Sequence, residues 1–231
     1  MNSTHQYPGS DGEHALQHER GTTRRAHKFY ADQMQDRLND EMIEFVGRME
    51  MAFIATADAK GEADSSFRAG PPGFIYVIDA NTICYPEYRG NGVMASLGNI
   101  SENPHVGIML IDFVRDRIGL HINGRATIVP DEELRAQLPD LPEESVRGRI
   151  PDLWVLVDIH EAYIHCRKHI PAMVPADAGG RAWGTDSAAR KGGDYFGVTA
   201  ARKAGDIATQ NAPEVAEPHS ATTDYPSPVG V

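Results

Sequence analysis

The 231-residue sequence predicts a mainly β fold, an antiparallel barrel with peripheral helices, and three observations predict it. Short β-rich runs follow one another through the middle of the chain. Tight-turn signals join several of them. Few helices lie between them, which suits an antiparallel barrel rather than a parallel sheet. The clearest run is Leu120–Val129, where Leu120, Ile122, Gly124, Ala126 and Ile128 face one way and His121, Asn123, Arg125 and Thr127 the other.

The elements follow in chain order. Over residues 28–49, Phe29, Met34, Leu38, Met42, Phe45, Val46 and Met49 recur at three- and four-residue steps, which predicts one amphipathic helix. Six strands are expected next: Ala52–Ala57, Gly73–Asp79, Thr82–Tyr85, Val106–Phe113, Ile118–Val129 and Leu153–Cys166. Asp58 to Gly61 and Asp79 to Asn81 are the turn signals between neighbours. Short helices are expected at Val93–Ile100, behind Gly92, and at Asp131–Leu138, just after Pro130. Residues 1–25 carry little that could enter a core and read as a flexible N-terminal tail; 26–175 read as the folded domain. Residues 176–231 read as a largely flexible extension, disordered from Gln210 to Val231, in which Trp183, Tyr195 and Phe196 could dock on the body.

Charge narrows the function classes. The net charge is −11; residues 1–25 contribute nothing and 176–231 contribute −2, which leaves −9 on the domain. An acidic body argues against coating nucleic acid or an anionic membrane, both of which draw on excess Lys and Arg. Two cysteines, Cys84 and Cys166, are too few for a disulfide framework. No apolar run approaches the roughly 18 residues of a membrane span, and the N-terminus lacks a signal-peptide pattern. A cytoplasmic protein with neither nucleic-acid nor membrane partner is expected.

Against this background, Thr82 to Asn99 stands out. A strand runs into Arg89, Gly90, Asn91 and Gly92, and a short helix follows. Glycines let backbone N–H groups approach an anion, a helix start adds partial positive charge, and Arg89 can add a forked contact. Gly90, Gly92 and Ala95 also match a dinucleotide fingerprint, with Asp112 about twenty residues on. That reading needs a parallel strand and a long crossover. Pro104 ends the helix too soon, and the preceding strand reads as the second arm of a hairpin.

The ordered set of motifs resembles the pyridoxamine 5'-phosphate oxidase-related, FMN-binding split-barrel family. It comprises Phe53 to Asp58 with Gly61, Asp64 to Arg68, Gly70 to Phe74, Tyr85 to Gly92, Ser96 to Asn99, Glu102 to Pro104, Ile111 to Phe113, Leu120 to Ala126, and Tyr163 to Cys166 with Lys168, spanning about residues 28–171. The resemblance implies a six-stranded antiparallel split β-barrel, a homodimer, and FMN at the subunit interface. By that likeness Arg68 and Arg89 share the flavin phosphate and Ser66 touches the ribityl chain or ring edge. Gly90, Asn91 and Gly92 make polar contacts at the helix start, with Ser96 and Asn99 behind. Arg117 approaches from the partner subunit. The chain departs from pyridoxamine phosphate oxidase itself where Ile118 to His121 lack that enzyme's flavin-contacting glutamine, where Arg89-Gly90 stands for an Arg-Lys pair, and where no C-terminal basic substrate motif follows Trp183. The substrate is therefore left open.

Other residues have plainer readings. His5, His14, His18 and His27 crowd a polar N-terminus. His160, His165, Cys166 and His169 form a metal-like list, but on a regular strand His160 and Cys166 would face away from His165 and His169. Cys84 and Trp154 read as core, and Glu132, Glu133, Glu143 and Glu144 as a solvated face. No Ser-His-Asp order, HExxH or P-loop is present. The sequence therefore points to an FMN-dependent oxidoreductase with no acid or base singled out. The alternative is a non-catalytic flavin, deazaflavin or haem carrier on the same fold.

Overall fold

The computed structural model describes residues 8–176 and 182–208. The expected disordered stretch from Gln210, and His5, lie outside them. Two units are distinguished, Met1–Gly184 and Thr185–Val231.

The first unit begins with helices α1 (Asp11–Glu19) and α2 (Thr23–Gln33), within and beyond the stretch read as a tail. Ser10 caps α1 by accepting from the Glu13 N–H, and the Glu13 carboxylate reaches back to the Ser10 N–H at 2.9 Å. This reciprocal capping box accounts for an ordered helix with no buried residue. The single helix expected over 28–49 is instead broken. Met34–Gln35 forms a two-residue strand β1, and Asn39 starts a new helix, α3 (Asp40–Gly47), accepting from the Met42 N–H. Pairing of Met34 with Tyr163 and burial of Leu38 override the helical spacing. Phe45, Val46 and Met49 still enter the core.

The remaining elements are β2 (Met51–Ala57), β3 (Ala63–Ala69), β4 (Tyr76–Asp79), β5 (Thr82–Glu87), α4 (Ala95–Glu102), β6 (His105–Asp112), β7 (Ile118–Pro130), α5 (Asp131–Gln137) and β8 (Leu153–His165). Among the described residues eight strands are found, all paired antiparallel, in the order β3-β2-β6-β7-β8-β5-β4 with β1 on β8. β1 and β3 are the strands beyond the six expected from patterning. β3 is polar at alternate positions and lacks the apolar stripe that marks the others. β4 starts later than expected, because Phe74 closes a turn onto the Pro71 carbonyl. The hairpin β4–β5 is present, and β5 is antiparallel to both neighbours, which rules out the dinucleotide fold at Gly90.

The main core is built from the inward rows of this sheet, among them Ile54, Ile108, Ile122 and Val157, with Phe45 and Val46 of α3. A smaller cluster holds Cys84, Leu134, Leu141 and Trp154 under α5. The long β7–β8 ribbon changes register between Asn123 and Gly124, where β8 steps from Glu161 to Ile159. Gly124 is needed there: a Cβ would stand 2.1 Å from the Asp158 carbonyl oxygen. This bulge also corrects the sequence-based facing of the histidines. The alternation resumes one residue later, so the side of His160 and Asp158 is continued by Glu161, Tyr163 and His165.

In the second unit a 3-10 turn (Ala189–Lys191) precedes α6 (Val198–Ala204). Asp194 accepts from the Thr199 and Ala200 N–H groups, both at 2.9 Å, and Tyr195 packs edge-on against Phe196.

Candidate functional site

Directly opposed residues of an antiparallel pair point to the same side. Asp64, Ser66 and Arg68 of β3 oppose Thr56, Ile54 and Ala52 of β2, which are buried, so the polar side of β3 faces inward under α4. The Ser66 hydroxyl donates to Asp64 Oδ2 at 2.9 Å and lies 2.8 Å from Ser96 Oγ. Its one hydrogen is thereby spent, so Ser96 is the donor between the two hydroxyls. Asn99, one turn further along α4, donates to the buried Thr56 hydroxyl at 3.0 Å.

Arg68 links opposite parts of the sheet. Its Nη2 donates to both Glu87 oxygens, at 3.2 and 2.9 Å, and lies 3.4 Å from Ser96 Oγ. β3 is one end of the hydrogen-bonded order and β5 stands next to the other end. The Arg68–Glu87 pair therefore spans the split where the sheet curls back on itself. Both side chains are 19% exposed. Two polar groups here have no partner among the described residues: Arg68 Nε and the hydroxyl of Tyr85, a residue only 1% exposed. Burial pushes the Tyr85 phenol well above its ordinary value, with Arg68 pulling it down and Glu87 pushing it up. Tyr85 and Glu87 occupy alternate positions of one strand, so both side chains enter the same side. A buried donor without an acceptor costs about 1–3 kcal/mol, so this is a place where a bound polar group is favoured.

The loop from Arg89 to Met94 is exposed. Gly92 (φ 85°) and Met94 (φ 53°) take left-handed conformations, and Asn91 Oδ1 folds back to accept from the Val93 N–H at 2.9 Å. Met94 occupies the cap position of α4 and provides no side-chain acceptor, so the first N–H groups of that helix lack a capping side chain.

The structure therefore brings Ser66, Arg68 and Ser96 together, with Asn99 buttressing them through Thr56. Arg89, Gly90, Asn91 and Gly92 lie on the loop that enters the same helix. Arg117 is not part of the group: it is exposed, with φ 50°, at the β6–β7 turn, and β2 and β6 stand between β7 and β3 in the sheet. Glu87, Tyr85 and Thr56 were not singled out by sequence reasoning, although Tyr85-x-Glu87 alternation ahead of the glycine loop was a usable signal.

Trp183 packs edge-on against Tyr88 at 5.7 Å, and the Arg149 guanidinium lies over its indole at 5.5 Å, while Arg149 also pairs with Glu144. Trp183 is thus anchored at the root of the glycine loop. On the outer side of the sheet, Phe67, Phe53, Met109, His121 and Tyr163 form one row across five strands. His121 stacks on Tyr163 at 4.7 Å and shares a 2.9 Å hydrogen bond with His165. Burial, then the His165 charge, lowers the His121 pKa. Among the described residues no three His, Cys, Asp or Glu side chains converge as a metal site, and no helix is long and apolar enough to cross a membrane.

A family model described as pyridoxamine 5'-phosphate oxidase matches residues 38–166. No curated protein matches the sequence. Among solved structures, HupZ of Group A Streptococcus is 19% identical, covering 59% of this chain and 99% of that one, with a TM-score of 0.42. An F420 reductase is 16% identical over 54% of this chain and 98% of its own, with a TM-score of 0.38. An FAD-binding protein from Mesorhizobium loti is 12% identical over 58% and 99%, with a TM-score of 0.36.

Proposed function

The chain belongs to the pyridoxamine 5'-phosphate oxidase family, and on that premise we propose that it binds FMN at the split between β3 and β5 and works as a flavin-dependent oxidoreductase. One observation carries the reading: two buried polar groups, Arg68 Nε and Tyr85 Oη, have no partner among the described residues, and the Arg68 guanidinium reaches to within 3.4 Å of Ser96 Oγ, itself 2.8 Å from Ser66 Oγ. The α4 start without a side-chain cap lies just ahead of Ser96. This donor set fits a phosphorylated ligand, since guanidinium, hydroxyl and helix-start N–H groups all donate to phosphate oxygens.

In this reading Arg68 and the N–H groups of the α4 first turn hold the phosphate, and Arg89 adds charge from the loop. Gly90 and Gly92 leave the backbone accessible, and Asn91, by accepting from Val93, keeps the loop in shape. Ser66 and Ser96 contact the ribityl chain, oriented by Asp64. Asn99 fixes the helix against β2. Bound flavin would supply the electron transfer, and the chain would supply binding, orientation and exclusion of water. A homodimer belongs to the same reading, supported by the apolar Phe67, Phe53 and Met109 end of the outer row, where Phe67 is 56% exposed. Arg117 would then meet the flavin of the other protomer.

Mass spectrometry of ligand released from purified protein tests the cofactor. FMN is the expected mass; deazaflavin, haem or nothing would replace or overturn the assignment. Anaerobic reduction of the bound flavin by NADH or NADPH, followed by turnover with oxygen or a quinone, separates an enzyme from a carrier. Failure with every donor and acceptor would favour the carrier. Size-exclusion chromatography with light scattering tests the dimer.

A further inference from the structure

A cavity of about 430 Å³ lies between the α1–α2 hairpin and β8, remote in sequence from the phosphate-binding set. Its walls include Phe29, Tyr30, Met34 and Tyr163, and two charged side chains, Glu13 and Arg25, also line it. The volume falls in the range of small-molecule sites.

The walls are held in place from several directions. Phe29 meets Tyr163 edge-on at 5.9 Å, Tyr163 is stacked on His121, and Met34 is paired to Tyr163 through the β1–β8 ladder. Tyr30 Oη donates to Glu13 Oε1 at 3.2 Å and accepts from Gln17 Nε2 at 2.6 Å. The other Glu13 oxygen accepts from the Ser10 N–H. Gly9 takes a φ of 95°, a conformation that favours glycine, where the chain passes Tyr30 Oη and the Glu13 carboxylate. Glu13 is thus a positioned carboxylate with acceptor capacity left over. Arg25 is exposed and makes no ion pair among the described residues.

One anion and one cation on a wall of aromatic edges and faces match a ligand carrying both charges. We propose that this cavity is a binding site for a planar aromatic zwitterion of the aromatic amino-acid type. The ring lies against Phe29 and Tyr163, the ammonium faces Glu13, and the carboxylate takes the Arg25 fork. A carboxylate alone would meet Glu13 as a like charge, and an amine alone would leave Arg25 unused, so the two charges together set the specificity.

The test is equilibrium binding to the full chain, read by isothermal titration and by saturation-transfer NMR. Three probes share one ring: tryptophan, indole-3-acetate, which lacks the ammonium and the carbon that bears it, and tryptamine, which lacks the carboxylate. Tryptophan is expected to bind more tightly than the other two. Arg25→Gln should weaken tryptophan and indole-3-acetate by about tenfold, the size of one charge-assisted contact, and leave tryptamine unchanged. Glu13→Gln should weaken tryptophan and tryptamine and spare or improve indole-3-acetate. Both variants are monitored by circular dichroism, and Arg25→Gln alters an exposed side chain that supports no core contact. Absence of tryptophan binding at millimolar concentration would overturn the proposal, as would tryptophan binding indifferent to Arg25→Gln. Flavin content is a separate measurement, so the outcome is independent of the FMN reading.

Discussion

Replacing Arg68 by Gln separates two roles that its geometry combines. One is the proposed grip on phosphate; the other, seen directly, is to neutralise Glu87 across the barrel split. Both partners are 19% exposed, so each loses most of its hydration, and removing one strands the other. Arg68→Gln should therefore lower stability by about 3 kcal/mol, from the cost of breaking a largely buried pair. Glu87→Gln retains an oxygen that can accept from Nη2, removes a negative charge beside the proposed phosphate position, and frees the guanidinium. The double variant has neither charge and should recover most of the stability lost in Arg68→Gln. For FMN the order differs: loss of a charged donor raises the dissociation constant about 10- to 100-fold, whereas Glu87→Gln leaves it equal or lower. Urea unfolding of the apo-proteins and fluorescence titration with FMN give both quantities. A destabilised Arg68→Gln protein that binds FMN like the parent would show that Arg68 serves only Glu87, and the phosphate assignment would fall.

Three further outcomes are expected. Gly124→Ala places a Cβ 2.1 Å from the Asp158 oxygen and 3.0 Å from Val157 Cγ1, so β7 and β8 must part. A loss of about 3 kcal/mol in urea unfolding is expected, and an unchanged midpoint would contradict the close approach. Asp112 is raised by burial, but hydrogen bonds from the Arg115 N–H, the Arg48 guanidinium and the Val114 and Asp116 N–H groups outweigh this and hold it at about 2, against an ordinary 3.8. A depressed carboxylate stabilises the fold above its unfolded value and loses that contribution as pH falls towards 2. About 2 kcal/mol should vanish between pH 4 and 2, and Asp112→Asn should flatten that part of the pH profile; an equally steep profile would refute the role. Trp183→Ala removes the edge contact to Tyr88 and the ring under Arg149. Trypsin should then cut faster after Arg89, and an unaltered rate would show that Trp183 does not steady the loop.

Much of the candidate site was legible because its residues lie close together in the chain. Arg89 to Gly92 and the following helix are contiguous, and glycines before a helix start mark a candidate anion loop from local sequence alone. Ser66 and Arg68 entered through family resemblance, since a polar β3 has no apolar stripe to mark it. Glu87 and Tyr85 were missed because their importance depends on which strand curls round to meet them. Arg117 was placed by analogy with a partner subunit, and within this chain it stands at a separate turn.

By itself, the sequence determined the elements whose side chains alternate or recur against one shared core: β2, β4 to β8, α4, α5 and the apolar face of α3. Such patterns follow from local geometry, two residues per strand repeat and 3.6 per helical turn. Tertiary structure alone decided where those rules yield. Pairing of Met34 with Tyr163 cut one expected helix in two, and a bulge at Gly124 turned His165 to the side of His160. Closure of the sheet joined Arg68 of β3 to Glu87 of β5 across the split. Each is a contact between residues far apart in the chain, and its energy enters only when both strands are already in place.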